Sequence, residues 1–316
     1  MALFLELILL VVGFTMLVKG ADWFVEGASG LAEKFGIPQL VIGLTIVAMG
    51  TSMPEAAVSI AAALKGSADI TIGNVLGSNI LNVLIILGLT AVVTKVAVGE
   101  STIKYEIPFV MLITIVLMIL GNTGGEIRFA EGISLWILFL GYLLYLLKLA
   151  MDKKSSGDES GEDAAGKDKP LWKLLIAIVV GAVLIVWGSD ISVDAASEIA
   201  RMFGLSERLI GLTIVALGTS LPELVTSVAA ATKGKADIAI GNIVGSNIFN
   251  ILFVVGTTAL VTPVAFASNF MIDGIVSALA AGLLWLCVSK KKHLDRKDGI
   301  IFLLGYAVYF VYLLIG

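Results

Sequence analysis

Apolar residues along this chain come in long blocks. They show neither the alternation of a half-buried strand nor the one-sided stripe of a surface helix. Ten blocks, some with polar interruptions, are centred near residues 10, 50, 82, 114, 140, 180, 220, 250, 279 and 307. A helix crosses the hydrocarbon core with roughly 20 mainly apolar residues, and the blocks are too long and uniform for barrel strands. The pattern predicts an all-α membrane protein with ten transmembrane helices.

The blocks repeat. "VIGLTIVAMGTSMPEAAVS" from Val41 returns as "LIGLTIVALGTSLPELVTS" from Leu209. Glu55 aligns with Glu223, Ser78 with Ser246 and Asn82 with Asn250, always 168 residues apart. Between Ile42 and Asn82, 29 of 41 positions are identical in the second copy, so the chain is a duplication. Each copy holds five spans. Five is odd, so the second copy enters the membrane from the opposite side, which is the inverted-repeat plan of many secondary transporters. Residues 1–151 form the first repeat and 171–316 the second. Residues 152–170 form a polar linker, rich in Gly, Ser and acid, that is expected to be disordered. It lacks the spaced ligands and terminal Glu of a calcium-binding EF-hand loop.

Charge sets the orientation. Sixteen Lys and Arg residues fall on the linker's side of the predicted spans and four on the other. Basic loops stay cytoplasmic, so the linker is cytoplasmic, both termini lie outside, and the inner (plasma) membrane is the expected location. The opening MALFLELILLVVGF lacks a basic start and a cleavage site, and reads as a first span. Composition agrees with a lipid setting. The chain is 58% hydrophobic and 15% charged, with mean hydropathy +1.02, where soluble domains carry about 25% charged residues. The single Cys287 excludes an internal disulfide. The single His293, in KKKHLDRK, is expected in a solvated loop, without a metal or catalytic role.

The polar interruptions carry the chemistry. Pro54 and Pro222 cannot donate to the carbonyl four residues back, so each breaks its helix, and Gly50 and Gly218 ease the break. Backbone freed at membrane depth is tolerated only beside protein or a polar cavity. Glu55 and Glu223 sit near mid-span, where a charged carboxylate costs at least about 2.5 kcal/mol without a partner. A bound cation pairs with the carboxylates and accepts the freed carbonyls. A second repeated phrase, GNVLGSNILN from Gly73 and GNIVGSNIFN from Gly241, adds Asn74, Ser78 and Asn82 at a spacing of four, on one helix face. Its glycines allow close helix approach. Asn74, Asn79, Asn242 and Asn247 read either as glue between helices or as support around the site. Thr51, Ser78, Asn82, Thr219, Ser246 and Asn250 supply further oxygens. A hard-oxygen set without sulfur or imidazole selects Na+, Ca2+ or Mg2+. Two acids and a flexible shell of many oxygens suit Ca2+ over octahedral Mg2+.

GTSxPE paired with GSNIxN in both halves resembles the alpha-repeats of the sodium/calcium exchanger family, prokaryotic type, within the cation/calcium antiporter superfamily. The resemblance covers nearly the whole chain. It implies Glu55, Asn82, Glu223 and Asn250 as central ligands. The carbonyls of Ala48, Thr51, Ala216 and Thr219 and the side chains of Thr51, Ser78, Thr219 and Ser246 would complete the Ca2+ and Na+ sites. It implies exchange of about three Na+ for one Ca2+ by alternating access, electrogenic, with the first and sixth spans sliding as a gate. The linker is too short for the regulatory calcium-binding domain of animal exchangers. Asn250 stands where the potassium-dependent branch carries Asp, so K+-independent transport is expected. The chain is expected to need no cofactor, to bind Ca2+ and Na+ as cargo with H+ as competitor, and to work as a monomer in the bilayer without nucleic acid. The alternative on the same fold is a Ca2+/H+ antiporter. An enzyme would need a nucleophile–base pair or a His-bound metal, which the sequence lacks. A passive channel would dispense with alternating access.

Overall fold

The computed structural model describes residues 2–65, 68–155, 169–204 and 216–315. The first half begins with α1 (Ala2–Phe35), then α2 (Gln39–Ile42), a π-helical turn (Gly43–Val47), α3 (Ala48–Thr51) and α4 (Met53–Leu64). It continues with α5 (Asp69–Leu81), a second π turn (Asn82–Leu87) and α6 (Gly88–Val93). Strand β1 (Val96–Ala97), a third π turn (Thr102–Glu106), α7 (Ile107–Gly124), β2 (Glu126–Ile127) and α8 (Phe129–Ser155) complete it. The second half runs through α9 (Leu171–Met202), α10 (Ala216–Thr219), α11 (Leu221–Thr232), α12 (Ala236–Phe249), a π turn (Asn250–Val255) and α13 (Gly256–Val261). It ends with β3 (Val264–Ala265), α14 (Phe270–Lys291), β4 (His293–Leu294) and α15 (Arg296–Ile315).

Eight of these helices are long and apolar enough to cross a membrane, and a ninth span is the pair Gln39–Thr51 and Met53–Leu64, bent by 47°. These counts are of the described residues. The expected block near residue 220 begins in 205–215, outside them, and its described part is α10 and α11. Residues 156–168 of the linker also lie outside them. The outer surface is apolar: Phe4, Leu144, Val179 and Val308 are 61–72% exposed. Thr51, Glu55, Glu106, Thr114, Ser189 and Glu223 are buried inside, as lipid demands.

Two spans form the centre. Ile70–Val93 and Ala236–Val261 are 78% and 94% buried over their most apolar windows, against 17–39% for the other six. Against them pack the broken helices α2–α4 and α10–α11. At the flank, α1 and α9 pack antiparallel with backbones in contact. A Cβ placed on Gly13 would lie 2.9 Å from Gly188 O, one on Gly20 2.8 Å from Gly181 O, and one on Gly27 2.9 Å from Leu174 O. Glycines seven residues apart keep recurring on one helix face, so the two helices meet along a stripe without side chains.

Four two-residue strands, which the apolar pattern does not predict, tie the ends of the spans. β1 pairs antiparallel with β4, and β2 with β3. His293 therefore lies half-buried in a strand, not in a solvated loop, and its Nδ1 donates to Lys291 O at 2.6 Å.

Candidate functional site

The repeated phrase breaks its span as its proline requires, two residues ahead of the proline itself. Ser52, with φ −87° and ψ 6°, ends α3, and Pro54 sits in the first turn of α4. That turn does not need the missing N–H. Ser220, with φ −95° and ψ 4°, does the same before Pro222 in α11. Glu55 and Glu223 consequently lie in the first turn of a new helix, where the macrodipole favours an anion. The break thus lowers the cost of the carboxylate. Asn74 and Asn242 hold the two half-helices. Asn74 Nδ2 donates to Glu55 O (3.3 Å) and Ser59 Oγ (3.0 Å). Asn242 Nδ2 donates to Glu223 O (3.3 Å) and Ser227 Oγ (2.9 Å). Asn74, expected on one face with Ser78 and Asn82, is spent on this support.

In both central spans the α-helix gives way to a π turn at the last asparagine of the phrase, Asn82 or Asn250. Insertions of this kind recur at functional sites because they re-aim side chains. The carboxylate helix of each half packs on the other half's π turn: α4 on the turn beginning at Asn250, α11 on the turn beginning at Asn82. Hydrogen bonds cross between halves throughout. Ser52 Oγ donates to Glu223 Oε1 at 2.8 Å and Thr51 Oγ1 to Asn242 Oδ1 at 3.0 Å. Ser246 Oγ lies 3.4 Å from Ala48 O, which also accepts the Ser52 N–H at 3.0 Å. Asn82 Nδ2 donates to Asn247 Oδ1 (2.9 Å) and Asn250 Nδ2 to Asn79 Oδ1 (3.1 Å).

Of the buried side-chain oxygens without a hydrogen-bond partner, which also include those of Thr71, Thr102, Glu106, Tyr142, Ser197, Ser220 and Thr226, four belong to the two glutamates and to the asparagines that open the π turns. Glu55 Oε2, Asn82 Oδ1, Glu223 Oε2 and Asn250 Oδ1 are buried and accept no hydrogen bond from the protein. All four residues are 1% exposed. Buried polar atoms are nearly always partnered, so four orphaned acceptors from the same repeated phrases fit a cation as their partner. Thr51, Ser78, Ser246 and Ala48 are buried as well. Thr219 is half-buried at the end of α10, and Ala216 begins that helix with its side chain outside the described atoms. No cluster of three or more His, Cys, Asp or Glu occurs among the described residues. The donor set is two carboxylates within neutral oxygens, as hard cations prefer.

Sequence reasoning passes over Ser52, although it stands inside the repeated phrase, and leaves Asn79 and Asn247 without a definite role. Ser52 becomes visible only when the halves are docked. Its repeat counterpart, Ser220, has a buried hydroxyl without a hydrogen-bond partner.

Comparison with known proteins places this arrangement. The family model for "Sodium/calcium exchanger protein" matches residues 5–148 and 173–315. The inner membrane protein YrbG of Escherichia coli is 38% identical over 312 residues, covering 95% of this chain and 94% of the relative. The sodium/calcium exchanger MaX1 of Methanosarcina acetivorans is 32% identical, covering 97% of each chain. A solved structure of the sodium-calcium exchanger NCX_Mj superposes with a TM-score of 0.83 at 31% identity, covering 98% of this chain and 99% of that one. Matched in both halves and over nearly its whole length, the chain is a multi-pass membrane transporter, not an enzyme, and belongs to the sodium/calcium exchanger family.

Proposed function

We propose that the protein exchanges Na+ for Ca2+ across the inner membrane by alternating access, with Glu55, Asn82, Glu223 and Asn250 holding the transported ions. The observation that carries this reading is the set of four buried acceptor oxygens with no protein donor, two of them carboxylates. A −2 site balances Ca2+. The same site exchanges that charge for Na+ when the neutral oxygens of Thr51, Ser78, Thr219 and Ser246, with the carbonyls of Ala48 and Ala216, supply the extra ligands. Three Na+ against one Ca2+ moves one net positive charge per cycle. The amide at Asn250 leaves the site without the third acid that would call for K+.

The ten-span inverted plan, with termini outside and the linker cytoplasmic, is part of the same proposal. It is supported by the reciprocal hydrogen bonds between repeat-related residues and by the antiparallel glycine stripe of α1 and α9. Reciprocal contacts of residue i with j and j with i are what a twofold axis produces. The sliding of α1 and α9 is the proposed gate, and a single copy is the proposed working unit.

The deciding experiment is 45Ca2+ uptake into proteoliposomes loaded with Na+, with a pH gradient as the parallel arm. Uptake driven by the outward Na+ gradient and indifferent to the pH gradient is expected. Uptake driven by the pH gradient alone identifies a Ca2+/H+ antiporter instead, and uptake that needs no counter-ion gradient identifies a leak.

A further inference from the structure

We propose that Asn79 and Asn247 are positioning residues, each fixing which end of an amide in the other half faces the ion. The proposal rests on the reading of the site given above.

A side-chain amide carries an acceptor and a donor of nearly the same shape. Packing alone does not choose between them, yet the wrong choice turns an –NH2 toward a cation. Here the choice is imposed by a chain of polarity that starts at a backbone carbonyl, a group that can only accept. Asn79 Nδ2 donates to Asn247 O at 3.2 Å. The other end of that amide, Asn79 Oδ1, therefore accepts, and takes Asn250 Nδ2 at 3.1 Å. Asn250 is left with its oxygen turned away from Asn79, and that oxygen is one of the four without a protein donor.

The mirror chain runs the other way. Asn247 Nδ2 donates to Asn79 O at 3.3 Å, and Asn247 Oδ1 accepts Asn82 Nδ2 at 2.9 Å. This leaves Asn82 Oδ1 as the second orphaned amide oxygen. Both anchoring carbonyls are held in place by the chain, because Asn79 O also accepts the backbone N–H of Asn82 and Asn247 O that of Asn250. Asn79 and Asn247 are 1% and 2% exposed, and neither keeps an unpartnered side-chain atom. They are fully occupied in aiming Asn250 and Asn82, so they act on the ion through those residues. Each half thereby sets the ligand of the other.

A carboxylate needs no such aiming, since both its ends are acceptors. This separates orientation from packing. The test measures 45Ca2+ equilibrium binding, together with the apparent KM and maximal rate of Na+-driven uptake. It uses five proteins: wild type, Glu223→Gln, Asn79→Leu, Asn250→Asp and the double variant Asn79→Leu/Asn250→Asp. Loss of an outer support for a metal ligand typically costs 10–100-fold in affinity. Asn79→Leu should therefore weaken Ca2+ binding by about 10–100-fold and raise KM while the maximal rate changes far less. On the Asn250→Asp background the same substitution should change affinity by less than about threefold. An equal loss on both backgrounds would show that Asn79 only packs, and would overturn the proposal. Should Asn79→Leu fail to give monodisperse protein, the mirror pair, Asn247→Leu with and without Asn82→Asp, poses the same question. If Glu223→Gln and Asn250→Asp themselves leave Ca2+ binding unchanged, the site reading fails and takes the proposal with it. If they alter binding while Asn79→Leu does not, only the positioning role is lost.

Discussion

Gly181 is a place where one added methyl group should be strongly disruptive. A Cβ there would lie 2.6 Å from Phe24 N, 2.8 Å from Gly20 O and 2.9 Å from Phe24 Cα. All three are backbone atoms of α1, so no side chain can swing aside. Ordinary contact needs about 3.5 Å, and the two helices must part by about 1 Å to reach it. Overpacking of this kind costs about 1–3 kcal/mol, equivalent to a roughly 5- to 150-fold shift of the folding equilibrium at 1.36 kcal/mol per decade. Gly141, in α8, is the matched control. A Cβ there meets nothing within 4 Å, and helix propensity favours alanine by up to about 1 kcal/mol. The one free cysteine, Cys287, is half-buried in α14. Its reaction with a thiol-selective fluorophore reports thermal unfolding in detergent. Gly181→Ala should unfold at a clearly lower temperature than wild type, and Gly141→Ala at the same temperature or higher. A Gly181→Ala protein as stable as wild type would refute the backbone contact between α1 and α9.

Four further outcomes follow from the site. Glu55→Gln and Glu223→Gln each replace one member of a buried charge pairing, a change that costs about 2–5 kcal/mol, so either should weaken 45Ca2+ binding by roughly 30-fold or more. Lowering the pH should weaken Ca2+ binding, because protons and Ca2+ compete for the same carboxylate oxygens, and a pH-independent affinity would contradict two adjacent acids. An imposed membrane potential should shift the endpoint of uptake, at about 2.3 kcal/mol per charge per 100 mV, whereas electroneutral exchange leaves it fixed. Added K+ should not stimulate Na+-driven Ca2+ uptake in choline buffer at clamped voltage, and a several-fold stimulation would contradict the role given to Asn250.

The parts of this architecture that are legible in the sequence are those whose energetic cost is local. A carboxylate in the middle of an apolar block is expensive wherever its neighbours lie, so Glu55 and Glu223 stand out, and both are buried in the structure. Pro54 and Pro222 likewise announce a broken helix, and the break is found at Ser52 and Ser220. What could not be read depends on partners far away in the chain. The Asn79–Asn247 pairing joins residues 168 positions apart. An amide has no local signature that says whether it binds an ion, aims another amide or glues helices. The π turns at Asn82 and Asn250 are similarly hidden, since one extra residue per turn leaves an apolar block apolar. The two-residue strands are shorter than any period that could reveal them. Asn74 shows the limit of a face argument: a spacing of four put it beside Ser78 and Asn82, but its amide turns to Glu55 O and Ser59.

The position of a bound Ca2+ can be measured directly. A crystal of the purified protein loaded with Ca2+, examined by anomalous difference maps at long wavelength, shows where the ion sits. A peak is expected within about 2.3–2.6 Å, the range of calcium–oxygen bonds, of Glu55 Oε2 and Glu223 Oε2, with Asn82 Oδ1 and Asn250 Oδ1 facing the same point. A peak elsewhere in the membrane core, or Ca2+ held without contact to either glutamate, would contradict the placement of the ion between Glu55 and Glu223.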